Sequence, residues 1–242
     1  MTTAVEAVIF DWGGTLTPWH TVDARDAWLT YARAYLPGAP HEQVAALAER
    51  LHLAEDAVWV AVREQHTSTT IAQVFAAAGV DASSGAHASA VAAYESAWEP
   101  HTWTDPDAEP TLRGLRGRGI RTGLLSNTLW TREHHQRILD RDQIGSLFDG
   151  LVFSSEIGWA KPHPEAFWAS MAAVGVSDAD RVVFVGDRPF EDIHGARSAG
   201  MRTVLVPHSD IPDYQRGHTE ATPDAVVHRL QDIIDVVDRW IG

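Results

Sequence analysis

The sequence predicts an α/β protein: a doubly wound parallel sheet interrupted by an inserted all-helical block. Three observations carry that prediction. Strand and helix signals alternate from Pro106 to the C-terminus, the pattern of parallel strands joined by right-handed crossovers with helices on both faces. A short apolar run, Val5 to Phe10, stands apart from that series and ends at Asp11-Trp12-Gly13-Gly14-Thr15. Continuous apolar runs of this length are what a strand buried on both faces looks like. Between the two, residues 20 to 100 hold no β-branched, glycine-bounded run.

The elements follow in order. After the first strand, Asp23 to Leu36 places Ala24, Trp28, Tyr31, Ala32 and Tyr35 at helical spacing, and Pro37-Gly38 stops the pattern. His41 to His66 reads as one long helix or two. Thr69 to Ala78 and Ser84 to Trp98 read as two more, each preceded by a Ser or Thr suited to capping. Glu99-Pro100 and Thr104-Asp105-Pro106 close the block. A helix over 107–118 then leads through Gly119 into strand 120–125, which stops at Ser126-Asn127. A helix near 130–139, strand 150–153, and a helix from Pro164 to about Val174 come next; proline suits a first helical turn. Strand 181–185 runs into Gly186-Asp187, followed by a helix over 190–199 and strand 203–206. A short strand at 225–227 and a helix from His228 to Trp240 complete the series.

Composition narrows the function. The 242 residues carry 19 basic and 33 acidic side chains, a net charge of −14, which argues against a nucleic-acid partner. With no cysteine, thiolate catalysis, disulfides and cysteine-bound zinc are excluded. No basic or apolar leader precedes the first strand and no run of about 18 apolar residues occurs, so a cytoplasmic protein without a membrane partner is expected. The thirteen histidines are scattered. Adjacent His134 and His135 point to different sides of a helix, and His163, His194 and His208 lie in separate segments. Solvated surface positions are expected for them rather than a metal site. Nothing in the pattern signals an oligomeric state.

In an open parallel sheet, ligands bind beyond the carboxyl ends of the strands, where the strand order reverses. Four segments place polar residues at such ends: Asp11, Ser126-Asn127, Lys161, and Asp187 with Asp192. Lys161 is the only lysine beside 18 arginines. The chemistry this set supports is phosphoryl transfer to a carboxylate. Asp11 is the candidate nucleophile. Asp11 and Asp187, with a backbone carbonyl near Gly13, offer hard oxygen ligands suited to Mg²⁺. Lys161 and the Ser126 hydroxyl are placed to hold phosphoryl oxygens and offset developing charge.

These segments, Asp11-Trp12-Gly13-Gly14-Thr15, Leu125-Ser126-Asn127, Lys161-Pro162 and Gly186-Asp187-Arg188-Pro189-Phe190-Glu191-Asp192, resemble in order the four motifs of the haloacid dehalogenase superfamily of hydrolases. The resemblance implies a Rossmann-like core over residues 1–17 and 106–242 and a helical cap of the first type over 18–105. It also implies Mg²⁺, an aspartyl intermediate and a small phosphorylated substrate. By the same resemblance Asp11 is nucleophile and metal ligand, Asp187 a metal ligand, Asp192 its orienting neighbour or a second ligand, and Ser126 and Lys161 the phosphate binders. Gly14, Asn127, Trp19 and His20 are candidate substrate contacts, with Trp12, Thr128, Trp130, Arg188 and Phe190 as further lining residues.

One position departs from the pattern. Phosphatases of the family carry a second aspartate two residues after the nucleophile, and here that residue is Gly13. Such an acid/base is worth typically about 10²–10⁴ in rate. The leading expectation is a phosphatase with a substitute group, such as His20 or His66, or one acting on good leaving groups. The alternative is a catalytically weak or inactive binding or regulatory protein. The dehalogenase branch generally replaces metal ligands that Asp187 retains. The phosphonatase branch needs a cap lysine, and no lysine lies between residues 1 and 160.

Overall fold

A computed structural model describes residues 4–17, 23–207 and 221–241. Six strands form one parallel sheet in the order β3-β2-β1-β4-β5-β6. They are β1 (Ala7–Phe10), β2 (Arg121–Ser126), β3 (Gly150–Phe153), β4 (Val182–Gly186), β5 (Arg202–Leu205) and β6 (Ala225–Val226). The order runs outward in both directions from β1, so the chain reverses between β1 and β4 and opens a crevice at their carboxyl ends. Register fixes what stands there. Phe10 pairs with Val185, and the Asp11 N–H donates to the Val185 carbonyl at 2.9 Å.

Side chains alternate across the pleat, and each face buries its own cluster. Val8 and Phe10 of β1 join Leu124, Val183, Val185 and Val204 on one face, covered by α5 (Ala108–Gly117), α6 (Arg132–Arg141) and α10 (Ile233–Ile241). Ala7 and Ile9 join Val152 and Phe184 on the other, under α8 (Pro164–Ala173) and α9 (Gly195–Ser198). Close helix–strand packing explains Gly150: a Cβ there would stand 2.6 Å from the Ala173 backbone.

The inserted block forms α1 (Ala24–Tyr35), one continuous α2 (His41–Gln65), α3 (Ile71–Ala77) and α4 (His87–Trp98). Their apolar faces meet in a third cluster around Trp28, Tyr31, Leu51, Phe75 and Tyr94, which takes only Leu129 from the sheet-bearing part among its buried residues. Trp130 extends the contact, its ring centroid 5.1 Å from that of Tyr94. Among the described residues no helix is long and apolar enough to cross a membrane.

Several expected elements take a different form. The helix anticipated over 190–199 splits into a wide π turn, Pro189–His194, and the short α9. The last helix starts at Ile233 after a 3₁₀ turn, five residues later than expected. A four-residue helix, α7 (Ser154–Ile157), is additional. The Ser or Thr caps expected before the segments 69–78 and 84–98 do not form: α3 starts after Thr70 and α4 after Ala86, neither with a side-chain cap bond. At α8, His163 caps instead, its Nδ1 accepting from the Glu165 N–H at 3.2 Å.

Two histidines correct the surface expectation. His134 and His135 are buried. The His135 ring stacks on Phe153 with centroids 4.5 Å apart, and its Nε2 lies 2.8 Å from Thr128 Oγ1. An aromatic, half-polar ring suits this apolar site once one nitrogen finds a partner. Burial, then the neighbouring His134 and Arg132, push its pKa down from 6.5 to about 3. The folded state therefore binds fewer protons than the unfolded chain, so the stabilisation is present above pH 6.5 and lost as pH falls toward 3. Relative to His135→Phe, the protein should lose about 1.4 kcal/mol per pH unit across that window. Urea titrations of both proteins between pH 7 and 5 test this; parallel pH dependences would refute it.

Candidate active site

The site forms where β1 and β4 end. Asp11 follows β1, and Asp187 follows β4 after Gly186. The turn at Pro189–His194 brings Asp192 back over Gly186, so closely that a Cβ on that glycine would lie 2.3 Å from the Asp192 carboxylate. Asp11, Asp187 and Asp192 are all buried and offer oxygens within 4.8 Å of one another. Lys161, 3 % exposed, reaches into this group from the segment before α8. Its Nζ donates to Asp11 Oδ1 at 2.5 Å and to Asp192 Oδ1 at 2.7 Å.

What holds Lys161 is an amide clamp that its own neighbours in sequence do not reveal. The Lys161 N–H donates to Asn127 Oδ1 at 2.8 Å, and Asn127 Nδ2 donates to the Lys161 carbonyl at 3.0 Å. Asn127 was expected as a substrate contact. Its amide is instead spent on fixing the lysine backbone. Thr128 and Trp130, also expected to line the cleft, turn to His135 and to Tyr94. Arg188 pairs with Glu191 at 3.7 Å. Trp19 and His20, like His208, lie outside the described residues.

The electrostatics are unbalanced, with three buried carboxylates around one ammonium. Burial raises the pKa of Asp187 well above the ordinary value, and the charges of Asp11 and Asp192 raise it further. Burial also raises Asp11, against the pull of Lys161. For Lys161 burial acts against the charge, but Asp11 and Asp192 outweigh it and its pKa ends above the usual lysine value. Glu191, a carboxyl within the last motif to which the sequence assigns no role, is likewise raised by burial.

The arrangement fits a hard divalent cation. Asp187 Oδ2 is buried with no hydrogen-bond partner among the described residues, and Thr15 Oγ1 stands at 3.5 Å from Oδ1. A buried, unpartnered carboxylate oxygen is costly unless something cationic meets it. All three donors are carboxylate oxygens, the ligand type that suits such a cation. Asp192 differs from the other two, because its Oδ1 is taken by Lys161 and its Oδ2 accepts from the Arg188 N–H at 2.9 Å. Gly14, with φ of 100°, holds a conformation that favours glycine, and its N–H donates to the Thr17 carbonyl at 2.8 Å. Ser126 ends β2, buried, at the same sheet edge.

A relative named glyceraldehyde 3-phosphate phosphatase, from Methanopyrus kandleri, is 34% identical over 150 residues, covering 62% of this chain and 63% of the relative. A phosphoserine phosphatase from Thermus thermophilus is 32% identical over 128 residues, 53% of this chain and 49% of that one. The chain thus spans about half to three fifths of the length of these curated relatives. Among solved structures, a 2-haloacid dehalogenase from Pseudomonas syringae pv. Tomato DC3000 superposes with a TM-score of 0.67 at 25% identity, covering 98% of this chain and 99% of that one. The sequence model of the haloacid dehalogenase-like hydrolases matches residues 5–200, and the chain belongs to that family.

Proposed function

We propose that the protein is a Mg²⁺-dependent phosphatase that releases phosphate from a small phosphorylated substrate through an aspartyl-phosphate on Asp11. The observation that carries this reading is the buried Lys161 ammonium, 2.5 Å from Asp11, beside the unpartnered carboxylate oxygen of Asp187. Asp11 Oδ2, the oxygen not engaged by Lys161, attacks phosphorus as the bond to the leaving group breaks. Lys161 holds charge on the Asp11 side, positioned by Asn127 and by Asp192. Ser126, at the tip of β2, contributes its hydroxyl to the phosphoryl oxygens. Asp11 and Asp187, with the carbonyl of Gly13, would hold Mg²⁺, while Asp192 acts through Lys161. When bound, the cation screens Asp11 from the negative phosphoryl group and polarises it.

In the same reading residues 1–17 and 106–242 are the catalytic core and 18–105 a cap of the first type. The separate hydrophobic cluster of α1 to α4 supports that division. The names of the matched phosphatases support phosphate esters over halogenated acids, as does the retained Asp187. Gly13 favours one other reading, a protein that binds its ligand and Mg²⁺ without turnover.

The test is phosphate release from glyceraldehyde 3-phosphate, phosphoserine, acetyl phosphate and p-nitrophenyl phosphate, with Mg²⁺ or EDTA and with Asp11→Asn as control. Mg²⁺-dependent release absent from the control is expected. Mg²⁺ at 100 times its dissociation constant should also stabilise the fold by about 2.7 kcal/mol. Wild-type release no faster than the control, with the Mg²⁺ stabilisation intact, would establish the binding reading instead.

A further inference from the structure

Position 13 has no side chain, yet hydrolysis of a phosphorylated Asp11 needs a base to accept a proton from water. Among the described histidines, His66 is joined to both segments that meet Asp11. It follows α2 in a left-handed conformation, φ 56° and ψ 23°, which few side-chain-bearing residues adopt. A helix commonly ends on such a residue, and the residues at this end form a short backbone ladder with the segment before α8. The Ala160 N–H donates to the His66 carbonyl at 2.9 Å, Thr67 bridges Trp159, and the Ser68 N–H donates to the Gly158 carbonyl at 2.9 Å. The residue after Ala160 is Lys161, whose Nζ touches Asp11. The His66 ring lies 6.1 Å from that of Phe190, on the turn linking Asp187 to Asp192. His66 therefore contacts both the segment that carries Lys161 and the turn that carries Asp192, the two segments beside Asp11.

Nearby imidazoles have other tasks. His163 caps α8 and stacks on Trp159, and His194 stacks on Phe190. The His66 ring nitrogens carry no hydrogen bond to any described residue, and the side chain is half-buried rather than sealed. The titratable and charged groups around it are His163 from the segment before α8 and, across Phe190, His194 and the Arg188–Glu191 pair. Burial, then His163, lower its pKa, which favours the neutral ring, the form that can accept a proton.

We propose that His66 is the general base for hydrolysis of phosphorylated Asp11, and that the site selects substrates whose leaving group departs without a proton, acyl phosphates above all. The proposal rests on the phosphatase reading. In the first step the Asp11 oxygen–phosphorus bond forms, and the bond to the leaving oxygen breaks, its electron pair leaving as a carboxylate. In the second, water oxygen bonds to phosphorus and its proton passes to a His66 nitrogen. The phosphorus–Asp11 bond breaks with its electrons returning to the carboxylate, and His66 then releases the proton to solvent.

The experiment is rapid-quench kinetics with Mg²⁺, using p-nitrophenyl phosphate and acetyl phosphate, on wild type and His66→Asn. Asparagine tolerates the left-handed conformation, and thermal melts check that the fold is kept. The variant should retain a burst of about one p-nitrophenol per site and accumulate phosphoenzyme on Asp11. Its steady-state rate should fall about 10²–10⁴-fold and lose the acid limb of the pH profile. Added imidazole should restore turnover to His66→Ala. Wild-type kcat/KM for acetyl phosphate should exceed that for glycerol phosphate by a similar factor. Steady-state turnover of the variant equal to wild type overturns the proposal, as does loss of the burst itself. Wild-type phosphate release no faster than that of Asp11→Asn, with no phosphoenzyme trapped in either protein, defeats the underlying phosphatase reading.

Discussion

Replacing Lys161 with methionine should destabilise the metal-free protein by about 3–5 kcal/mol, as expected when one partner of a buried ion pair is removed. For a chain of this length that corresponds to a fall in Tm of roughly 10 °C. Methionine preserves most of the stem volume, so the loss is electrostatic rather than a cavity effect. The Nζ sits 2.5 Å from Asp11 and 2.7 Å from Asp192. Without it three buried carboxylates face one another with no cation among them. Their native pKa values then rise further above the unfolded value of 3.8. A carboxylate raised in the folded state contributes stability at low pH that disappears as pH climbs through its native pKa. The gap between wild type and Lys161→Met should therefore be widest at pH 8 and narrow toward pH 5. Mg²⁺ should recover part of it by supplying positive charge to the same oxygens. Calorimetry across that pH range decides the matter. A gap that stays constant with pH would mean that packing, not charge, is what the lysine provides.

The same charges explain why so much was legible in the sequence. Asp11, Lys161, Asp187 and Asp192 are expensive to bury, and each follows or faces a strand tip, so their convergence could be argued from the alternating pattern. The parallel strands were legible because both faces are covered, which leaves continuous apolar runs such as Val182 to Val185. Asn127 was not legible. Its role depends on meeting a backbone 34 residues away, and an asparagine at a strand tip looks the same whether it holds a ligand or a loop. His135 misled because a buried histidine that bonds Thr128 and stacks on Phe153 has the same local spacing as a surface one. The π turn at 189–194 was hidden by its helix-like composition. Its extra residue per turn is what carries Asp192 onto Gly186 and within reach of Lys161. Gly186 belongs to the same account, since its bare backbone makes room for the carboxylate that orients the lysine.

Asp11→Asn should abolish phosphate release, by on the order of 10⁴-fold or more as for loss of a catalytic nucleophile, while making the metal-free protein more stable. The two effects have one origin. Asp11 is raised by burial even with Lys161 beside it, and its charge is the largest Coulombic burden on Asp187. An asparagine keeps the shape, removes one negative charge, and leaves Lys161 paired with Asp192 at 2.7 Å. In EDTA, wild-type stability should decline as pH rises from the ordinary aspartate value near 3.8 through the raised native values, and the decline should be shallower in Asp11→Asn. A gain of roughly 0.5–2 kcal/mol at pH 7 is expected, the size common for a single stabilising substitution. With Mg²⁺ the order should reverse, because the variant has lost one of the carboxylate oxygens proposed to hold the cation and gains less from mass action. Paired melts at pH 7, in EDTA and in saturating Mg²⁺, would reveal the crossing. If Asp11→Asn were less stable than wild type in both conditions, the Asp11–Lys161 pair would be a net support of the fold and not a strain held for catalysis. The crossing would also tie the acid cluster to cation binding without depending on any choice of substrate.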